Sequence, residues 1–168
     1  MVHRAYVALG SNLCEPASQV KHALIALEKI PQTMVLQHSS LYQSEPVGYD
    51  NQPDFINAVA ELDTDLSPES LLSALLDIEQ AFGRERPFPN APRILDLDLL
   101  LYDHLVKQTD FLTLPHPRMH SRGFVLLPLA EIVPTMVINH SDVIPKDTNV
   151  VKLAEAFQNQ GIQKLSND

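Results

Sequence analysis

The sequence predicts an α+β fold with a mainly antiparallel sheet. Three observations lead to this prediction: strand-like and helix-like segments follow the order βαββαβ between residues 5 and 102, both helical segments open at a proline, and the last strand has Asp96 and Asp98 on one side. This order is the ferredoxin-like pattern, which places both helices on one face of the sheet. We expect the residues after Leu105 to cover the other face. The prediction is therefore a three-layer α-β-α arrangement with helices on both faces, formed by residues 1–168 as a single domain.

The first half of the chain predicts three strands and one helix. The run from Ala5 to Gly10 is apolar enough for a buried strand. Pro16 suits the first turn of a helix that ends before Pro31, and its apolar face comprises Val20, Leu24, Leu27 and Ile30. A long, less regular strand is predicted over residues 34–43. Residues 55–63 alternate between two faces, one of which carries Phe55, Asn57 and Val59.

The second half opens on a helix with clear boundary signals. Ser67 is a preferred N-cap, Pro68 suits the first turn, and Gly83 supplies a C-terminal stop. The apolar face between them comprises Leu71, Leu75, Ile78 and Phe82. Residues 83–93 hold three prolines and three arginines without periodicity, which predicts an exposed loop. After the strand at 93–102 we expect a short strand, a proline-rich turn, a helix ending near Pro134, and a modest helix from Val151 with Leu153, Ala154 and Phe157.

Two aspartates interrupt the apolar strand RILDLDLLLY, residues 93–102. Asp96 and Asp98 share one strand face, opposite Leu95, Leu97 and Leu99. Their carboxylates would lie about 6–7 Å apart and repel each other by about 2–3 kcal/mol at an effective dielectric near 20. A solvated edge strand would tolerate this arrangement. The flanking arginines and the apolar continuation instead favour a Mg²⁺ site, since Mg²⁺ beside phosphates is usually held by one or two carboxylates and waters.

The charge distribution indicates a local anion site. The chain has 21 acidic and 12 basic residues, a formal net charge of −9, which argues against a general nucleic-acid binder. Five of the six arginines nevertheless lie between residues 84 and 122, together with three histidines. Guanidinium groups bind phosphate oxygens bidentately and stay charged. The alternative, arginines that only solvate the surface and a structural His116 between two prolines, stays open at this point.

Composition also bears on the compartment. No apolar run approaches the roughly 18 residues of a membrane span, and the opening MVHRAYVALG has too short an apolar run for a secretory signal. The single cysteine, Cys14, excludes an internal disulfide and fits a reducing compartment. We expect a cytoplasmic monomer without nucleic-acid or membrane partners.

The motifs that are absent narrow the chemistry. No GxxxxGK[ST] or GxGxxG occurs among the five glycines, so a nucleotide would be held by side chains and metal. GxSxG and paired-cysteine patterns are also absent, which leaves acyl transfer and structural zinc unsupported. Ordinary packing would explain Phe55 and Phe124 alone, but a buried Asn57 needs hydrogen-bond partners. Together the three suit a flat heterocycle with an alternating hydrogen-bonding edge.

Several segments resemble the 6-hydroxymethyl-7,8-dihydropterin pyrophosphokinases of folate biosynthesis. They are ALGSN (8–12), SSLYQSEPVG (39–48), QPDFINAVAEL (52–62), IEQAFGR (78–84), PRILDLDLLLY (92–102) and PHPRMHSRGFVLLPL (115–129). The last two are highly specific. The resemblance runs in order to about Pro134, and the tail after Asn139 adds little to it.

The resemblance implies a Mg²⁺-dependent diphosphokinase that moves pyrophosphate from its co-substrate ATP to the pterin hydroxymethyl group, giving AMP and the pterin diphosphate. Two Mg²⁺ ions would be bound by Asp96 and Asp98. The residues implied to be catalytic are Arg84, Arg93, Asp96 and Asp98. Those implied to bind ATP are Leu72, Arg84, Arg86, Arg93, Leu99, Thr113, His116 and Arg122. Those implied to bind the pterin are Ser44, Glu45, Pro46, Val47, Phe55, Asn57 and Phe124.

The resemblance also implies that residues 83–93 close over the site and exclude water. The chain departs from the family there, because it has no tryptophan and offers PFPNA at 87–91. From the residues alone, two rival functions stay open. A metal-dependent phosphohydrolase would need none of Phe55, Asn57 and Phe124, and a non-catalytic ferredoxin-like binding module would need neither aspartate.

Overall fold

The computed structural model describes residues 2–45, 53–83 and 94–165. The strands in these ranges are β1 (His3–Ser11), β2 (Thr33–His38), β3 (Tyr42–Ser44), β4 (Phe55–Thr64), β5 (Asp96–Tyr102), β6 (Lys107–Gln108), β7 (Thr113–Leu114), β8 (Val137–Ile138), β9 (Thr148–Asn149) and β10 (Ile162–Lys164). The helices are α1 (Pro16–Glu28), α2 (Pro68–Phe82), α3 (Gly123–Ile132) and α4 (Val150–Glu155), with a 3-10 turn at Met119–Ser121. None of these helices is long and apolar enough to cross a membrane.

Six strands form one sheet. Five follow the order β10-β3-β4-β1-β5, and β2 pairs with a further stretch of β4. All of the described pairings in this sheet are antiparallel. β6–β7 and β8–β9 are separate two-stranded pairs. The predicted α+β class with an antiparallel sheet is therefore confirmed.

The alternation of β1 divides the core into two clusters. Ala5, Val7 and Leu9 pack with residues of α1 and α2. Tyr6 and Ala8 belong to a second cluster with residues of the 3-10 turn, α3 and α4. Successive strand side chains point to opposite faces, so a single strand contributes to both clusters.

The predicted boundaries of α2 are confirmed. Ser67 Oγ accepts the Ser70 N–H at 3.1 Å, and the Gly83 N–H donates to the Glu79 carbonyl at 3.0 Å. The buried face is Leu71, Leu75 and Glu79, while Ile78 and Phe82 are only partly buried. In α1 the buried residues are Val20, Ala23 and Leu27. Ile30 is buried beyond the end of that helix, and Leu24 is half-buried.

The prediction of one strand over residues 34–43 was wrong. β2 and β3 are separate strands that both pair with β4, and residues 39–41 connect them. Ser39 exchanges hydrogen bonds with Val59, since its N–H donates to the Val59 carbonyl and its Oγ accepts the Val59 N–H. The Ser40 N–H and hydroxyl donate to Glu131 of α3 instead of continuing the ladder. Side-chain hydrogen bonding thus interrupts the strand.

The C-terminal tail is only partly as predicted. A short helix forms, but it begins at Val150 and ends at Glu155, so Phe157 lies beyond it. The sequence pattern did not predict β10, which pairs with β3 at the sheet edge.

Candidate active site

Two small residues of β1 form the floor of a trough across the sheet. Gly10 lies between Asn57 of β4 and Asp96 of β5, and Ala8 lies beside Asp98. The backbones of β4 and β5 are two strand spacings apart, about 9–10 Å. A Cβ at Gly10 would lie 3.2 Å from Asn57 Oδ1, so a larger residue would crowd the trough. Small side chains therefore keep open a space between the amide and the aspartates.

The two aspartates share the face that was predicted. Asp96 and Asp98 line the trough, while Leu95, Leu97 and Leu99 are buried in the cluster beneath α1 and α2. Arg122, the N-cap residue of α3, places Nη1 3.6 Å from Asp98 Oδ2. This guanidinium offsets part of the repulsion between the carboxylates. The Asp98 side chain is still 39% exposed, so its oxygens are accessible to a ligand.

A buried glutamate holds the strand from behind. Glu79 of α2 accepts the Leu97 N–H at 2.7 Å, and Leu97 lies between the two aspartates. On its other side β5 pairs with β1. The sequence interpretation missed this residue. Its signal is the spacing Leu71, Leu75, Glu79, which puts a charged residue on the apolar face of a helix.

An aromatic and amide cavity opens at the β4 side of the trough. Phe55, Asn57 and Phe124 line it together with both aspartates, and Ser44 and Glu45 complete one wall. Asn57 is buried and donates from Nδ2 to Ser44 Oγ at 2.7 Å, which fixes the amide. The Arg122 guanidinium carbon lies 5.7 Å from the centre of the Phe124 ring, within cation–π range.

His116 is fixed by its backbone and by its ring. Its N–H donates to the carbonyl of Leu100, where a register shift interrupts the β1–β5 pairing, and its Nδ1 accepts the Arg118 N–H at 3.1 Å. Burial lowers the pKa of His116 most; Asp98 opposes this effect, and Arg122 and Arg118 add to it, so the net pKa lies below its ordinary value. A neutral ring whose Nδ1 accepts a hydrogen bond carries its proton on Nε2.

A second cavity adjoins Asp98 from the α2 side. It is lined by Leu72, Leu99 and Thr113, which the resemblance places near ATP, and by His116 and Asp98. Asp98 therefore borders both cavities. Arg118, which the sequence interpretation did not assign to the site, lines a third hollow, whose other residues are Asp96, Asp98, His116, Pro117 and Arg122.

The comparison with known families agrees with this geometry. Residues 6–134 match the family model described as 7,8-dihydro-6-hydroxymethylpterin-pyrophosphokinase (HPPK). The chain belongs to this family. The match confirms the resemblance noted in the sequence. The matched range contains every residue that the resemblance assigned to the HPPK site.

Curated HPPK relatives cover most of the chain. The 2-amino-4-hydroxy-6-hydroxymethyldihydropteridine pyrophosphokinase of Pseudomonas aeruginosa is 43% identical over 165 residues, 98% of each chain. The protein of the same name from Haemophilus influenzae is 45% identical over 148 residues, 88% of this chain and 91% of that one. The folic acid synthesis protein fol1 of Schizosaccharomyces pombe is 41% identical over 133 residues, which are 79% of this chain and 18% of that protein.

Solved HPPK–DHPS structures share the fold. One, in complex with substrates, has a TM-score of 0.76 at 12% identity and covers 98% of this chain and 48% of that chain. Another is wild-type Plasmodium falciparum HPPK–DHPS with pterin and p-hydroxybenzoate. It has a TM-score of 0.73 at 15% identity, and the match covers 96% of this chain and 46% of that chain. The chain spans about half the length of these solved chains.

Five residues of the predicted HPPK site lie outside the described ranges. They are Arg84, Arg86, Arg93, Pro46 and Val47. The predicted closing of residues 83–93 over the site stays a prediction, because residues 84–93 lie outside the described ranges. The described site residues come from β3, β4, β5, α2, β7 and the segment from His116 to Phe124, and they meet around Asp98.

Proposed function

We propose that this chain transfers pyrophosphate from ATP to the hydroxymethyl group of 6-hydroxymethyl-7,8-dihydropterin, giving AMP and the pterin diphosphate in folate biosynthesis. The observation that carries the proposal is the position of Asp98 between two cavities. One is lined by Phe55, Asn57 and Phe124, and the other by Leu72 and Thr113. A heterocycle in the first cavity and a nucleotide in the second would meet at the carboxylates.

Asp96 and Asp98 would hold two Mg²⁺ ions together with the ATP phosphates. The donors fit this ion, because they are carboxylate oxygens on one strand face at the edge of an open trough. Within the described ranges, no cluster of three or more acidic, histidine or cysteine side chains could hold a metal. Phosphate oxygens and waters would therefore complete the coordination, as is usual for Mg²⁺. Bound Mg²⁺ would neutralise phosphate charge and align the triphosphate.

The pterin would lie between Phe55 and Phe124. Stacked aromatic rings stabilise a flat heterocycle, and the Asn57 amide, fixed by Ser44, would bind its polar edge. The backbone from Ser44 to Val47 would supply the remaining contacts, an assignment that rests on the resemblance. This arrangement distinguishes the proposal from a phosphohydrolase, which has no use for such a cavity.

Charge on the transferred group would be stabilised by cations and by His116. Arg122 is already close enough to Asp98 to contact a phosphate bound there. The Nε2–H of neutral His116 would donate to a phosphate oxygen, because its Nδ1 is occupied by the Arg118 N–H. The resemblance adds Arg84, Arg86 and Arg93. Catalysis of this kind depends on positioning and electrostatics.

One assay tests the proposed transfer. The chain is incubated with ATP and Mg²⁺, with and without hydroxymethyl-dihydropterin, and AMP is measured. AMP that forms only with the pterin supports transfer. Release of nucleotide products without the pterin would support a phosphohydrolase, and no turnover under either condition would support a binding module. Omitting Mg²⁺ tests the metal dependence in the same assay.

We also propose a more detailed fold, an oligomeric state and a cellular location. The strand order β4-β1-β5, with β2 and β3 both beside β4, and the separate packing of α1–α2 and α3–α4 support a ferredoxin-like, three-layer domain over residues 1–168. The single cysteine, Cys14, is free and exposed, which fits a reducing compartment such as the cytoplasm. We propose that the chain is a monomer there. Sedimentation equilibrium at micromolar concentration tests the monomer.

A further inference from the structure

The segment after α4 packs against the start of α3. A Cβ at Gly123 would lie 2.5 Å from Phe157 Cβ and 2.7 Å from Ile162 Cδ1, so this segment contacts the α3 backbone directly. Gly123 lies between Arg122 and Phe124, and both of these neighbours line the aromatic cavity. The position of that wall therefore depends on what packs against Gly123.

The same segment is hydrogen-bonded to the opposite wall. Ile162 of β10 pairs with Ser44 of β3, and the Glu45 N–H donates to the Gly161 carbonyl at 3.2 Å. Gly161 has a φ of +77°, and a Cβ there would lie 2.9 Å from Glu45 Cδ. Ser44 and Glu45 line the aromatic cavity as well. Residues 157–162, which we call the bridging segment, thus contact two chain segments that are nearly 80 residues apart in sequence.

A hollow next to the aromatic cavity is lined by both walls of that cavity and by the bridging segment. Its residues include Ser44 and Glu45 from the first wall, Arg122 and Phe124 from the second, and Phe157, Gln160 and Ile162 from the bridging segment. The bridging segment therefore lines a hollow that is also bordered by both walls of the aromatic cavity.

We propose that the bridging segment is a positioning element for the pterin, and that Phe157 is its principal positioning residue. By joining α3 to β3 it sets the separation between Phe124 and the Ser44–Glu45 wall. The inference rests on the proposed function. It concerns residues beyond 6–134, the range matched by the family model. A misplacement of about 1 Å in an active site can lower the reaction rate by about 100-fold, so small shifts of these walls have measurable effects.

Three variants test the role of Phe157. Phe157→Ala removes the ring that packs beside Gly123, and Phe157→Leu retains apolar bulk. Glu155→Ala, at an exposed position of α4 outside the bridging segment, is the matched control. Calorimetry measures the Kd of hydroxymethyl-dihydropterin in the presence of Mg²⁺ and a non-hydrolysable ATP analogue, and the Kd of that analogue alone. Thermal melting establishes that each variant is folded at the assay temperature.

Phe157→Ala should raise the pterin Kd by about tenfold or more and change the analogue Kd by less than about twofold. The pterin Kd of Phe157→Leu should fall between those of Phe157→Ala and the wild type, and Glu155→Ala should match the wild type. Equal pterin affinities in Phe157→Ala and Glu155→Ala, or equal losses of affinity for both ligands, would overturn the inference. If Phe157→Ala does not fold, Phe157→Leu decides by the same criterion. A wild-type chain that binds no pterin refutes the proposed function itself, and the inference with it.

Discussion

Replacing Glu79 by alanine tests how the aspartate-bearing strand is held in place. The Glu79 carboxylate accepts the Leu97 N–H at 2.7 Å, and the two residues are 8% and 3% exposed. A hydrogen bond to a charged group contributes about 1.5–3 kcal/mol, and loss of the acceptor would leave a buried N–H unpaired. We expect Glu79→Ala to lower the free energy of unfolding by about 1–3 kcal/mol.

Urea denaturation measures this loss, and AMP formation measures its effect on the aspartates. Turnover by Glu79→Ala should fall by about tenfold or more, because Asp96 and Asp98 flank the amide that loses its acceptor. Glu79→Gln keeps an acceptor oxygen and should recover part of both properties. Gln80→Ala, on the exposed side of α2, is the control and should stay within about 0.5 kcal/mol of the wild type. Equal urea midpoints for Glu79→Ala and Gln80→Ala would refute the reasoning.

Three further predictions concern charge. Asp98→Ala should abolish AMP formation without lowering metal-free stability. The variant removes the repulsion with Asp96 and loses only the partly exposed ion pair with Arg122. Turnover within tenfold of the wild type would exclude the metal assignment. Arg122→Ala should raise the barrier by about 2–4 kcal/mol, seen as a fall in kcat larger than the rise in KM for ATP, while the exposed control Lys152→Ala changes neither. Burial would raise the pKa of Glu61, but hydrogen bonds from Tyr6, Gln37 and Arg4 outweigh it and the net pKa is lowered. Glu61 therefore stabilises the fold fully above its unfolded-state pKa, and this stabilisation is lost as pH falls through the lower folded-state pKa. Urea midpoints of Glu61→Gln should decline less between pH 7 and pH 3 than those of the wild type.

Local signals predicted α2 and β5 well. The Ser67 cap, Pro68 and Gly83 bound α2 through contacts between near neighbours in the chain. The alternation of β5 put both aspartates on one face for a purely geometric reason. The strand predicted at 34–43 failed because Ser39 and Ser40 form hydrogen bonds with Val59 and Glu131, which are 20 and 91 residues away. A pattern read within a short window contains no information about such partners.

The family, the antiparallel α+β class and the shared face of Asp96 and Asp98 could all be predicted from the amino-acid sequence, because specific motifs and strand periodicity are local properties. The neighbours of each strand, and with them the position of Gly10 between Asn57 and Asp96, are visible only in the folded chain. The same holds for the hydrogen bond from the Leu97 N–H to Glu79 and for the packing of Phe157 at Gly123. These contacts join residues far apart in the chain, and their geometry depends on how the helices and the sheet edge pack together.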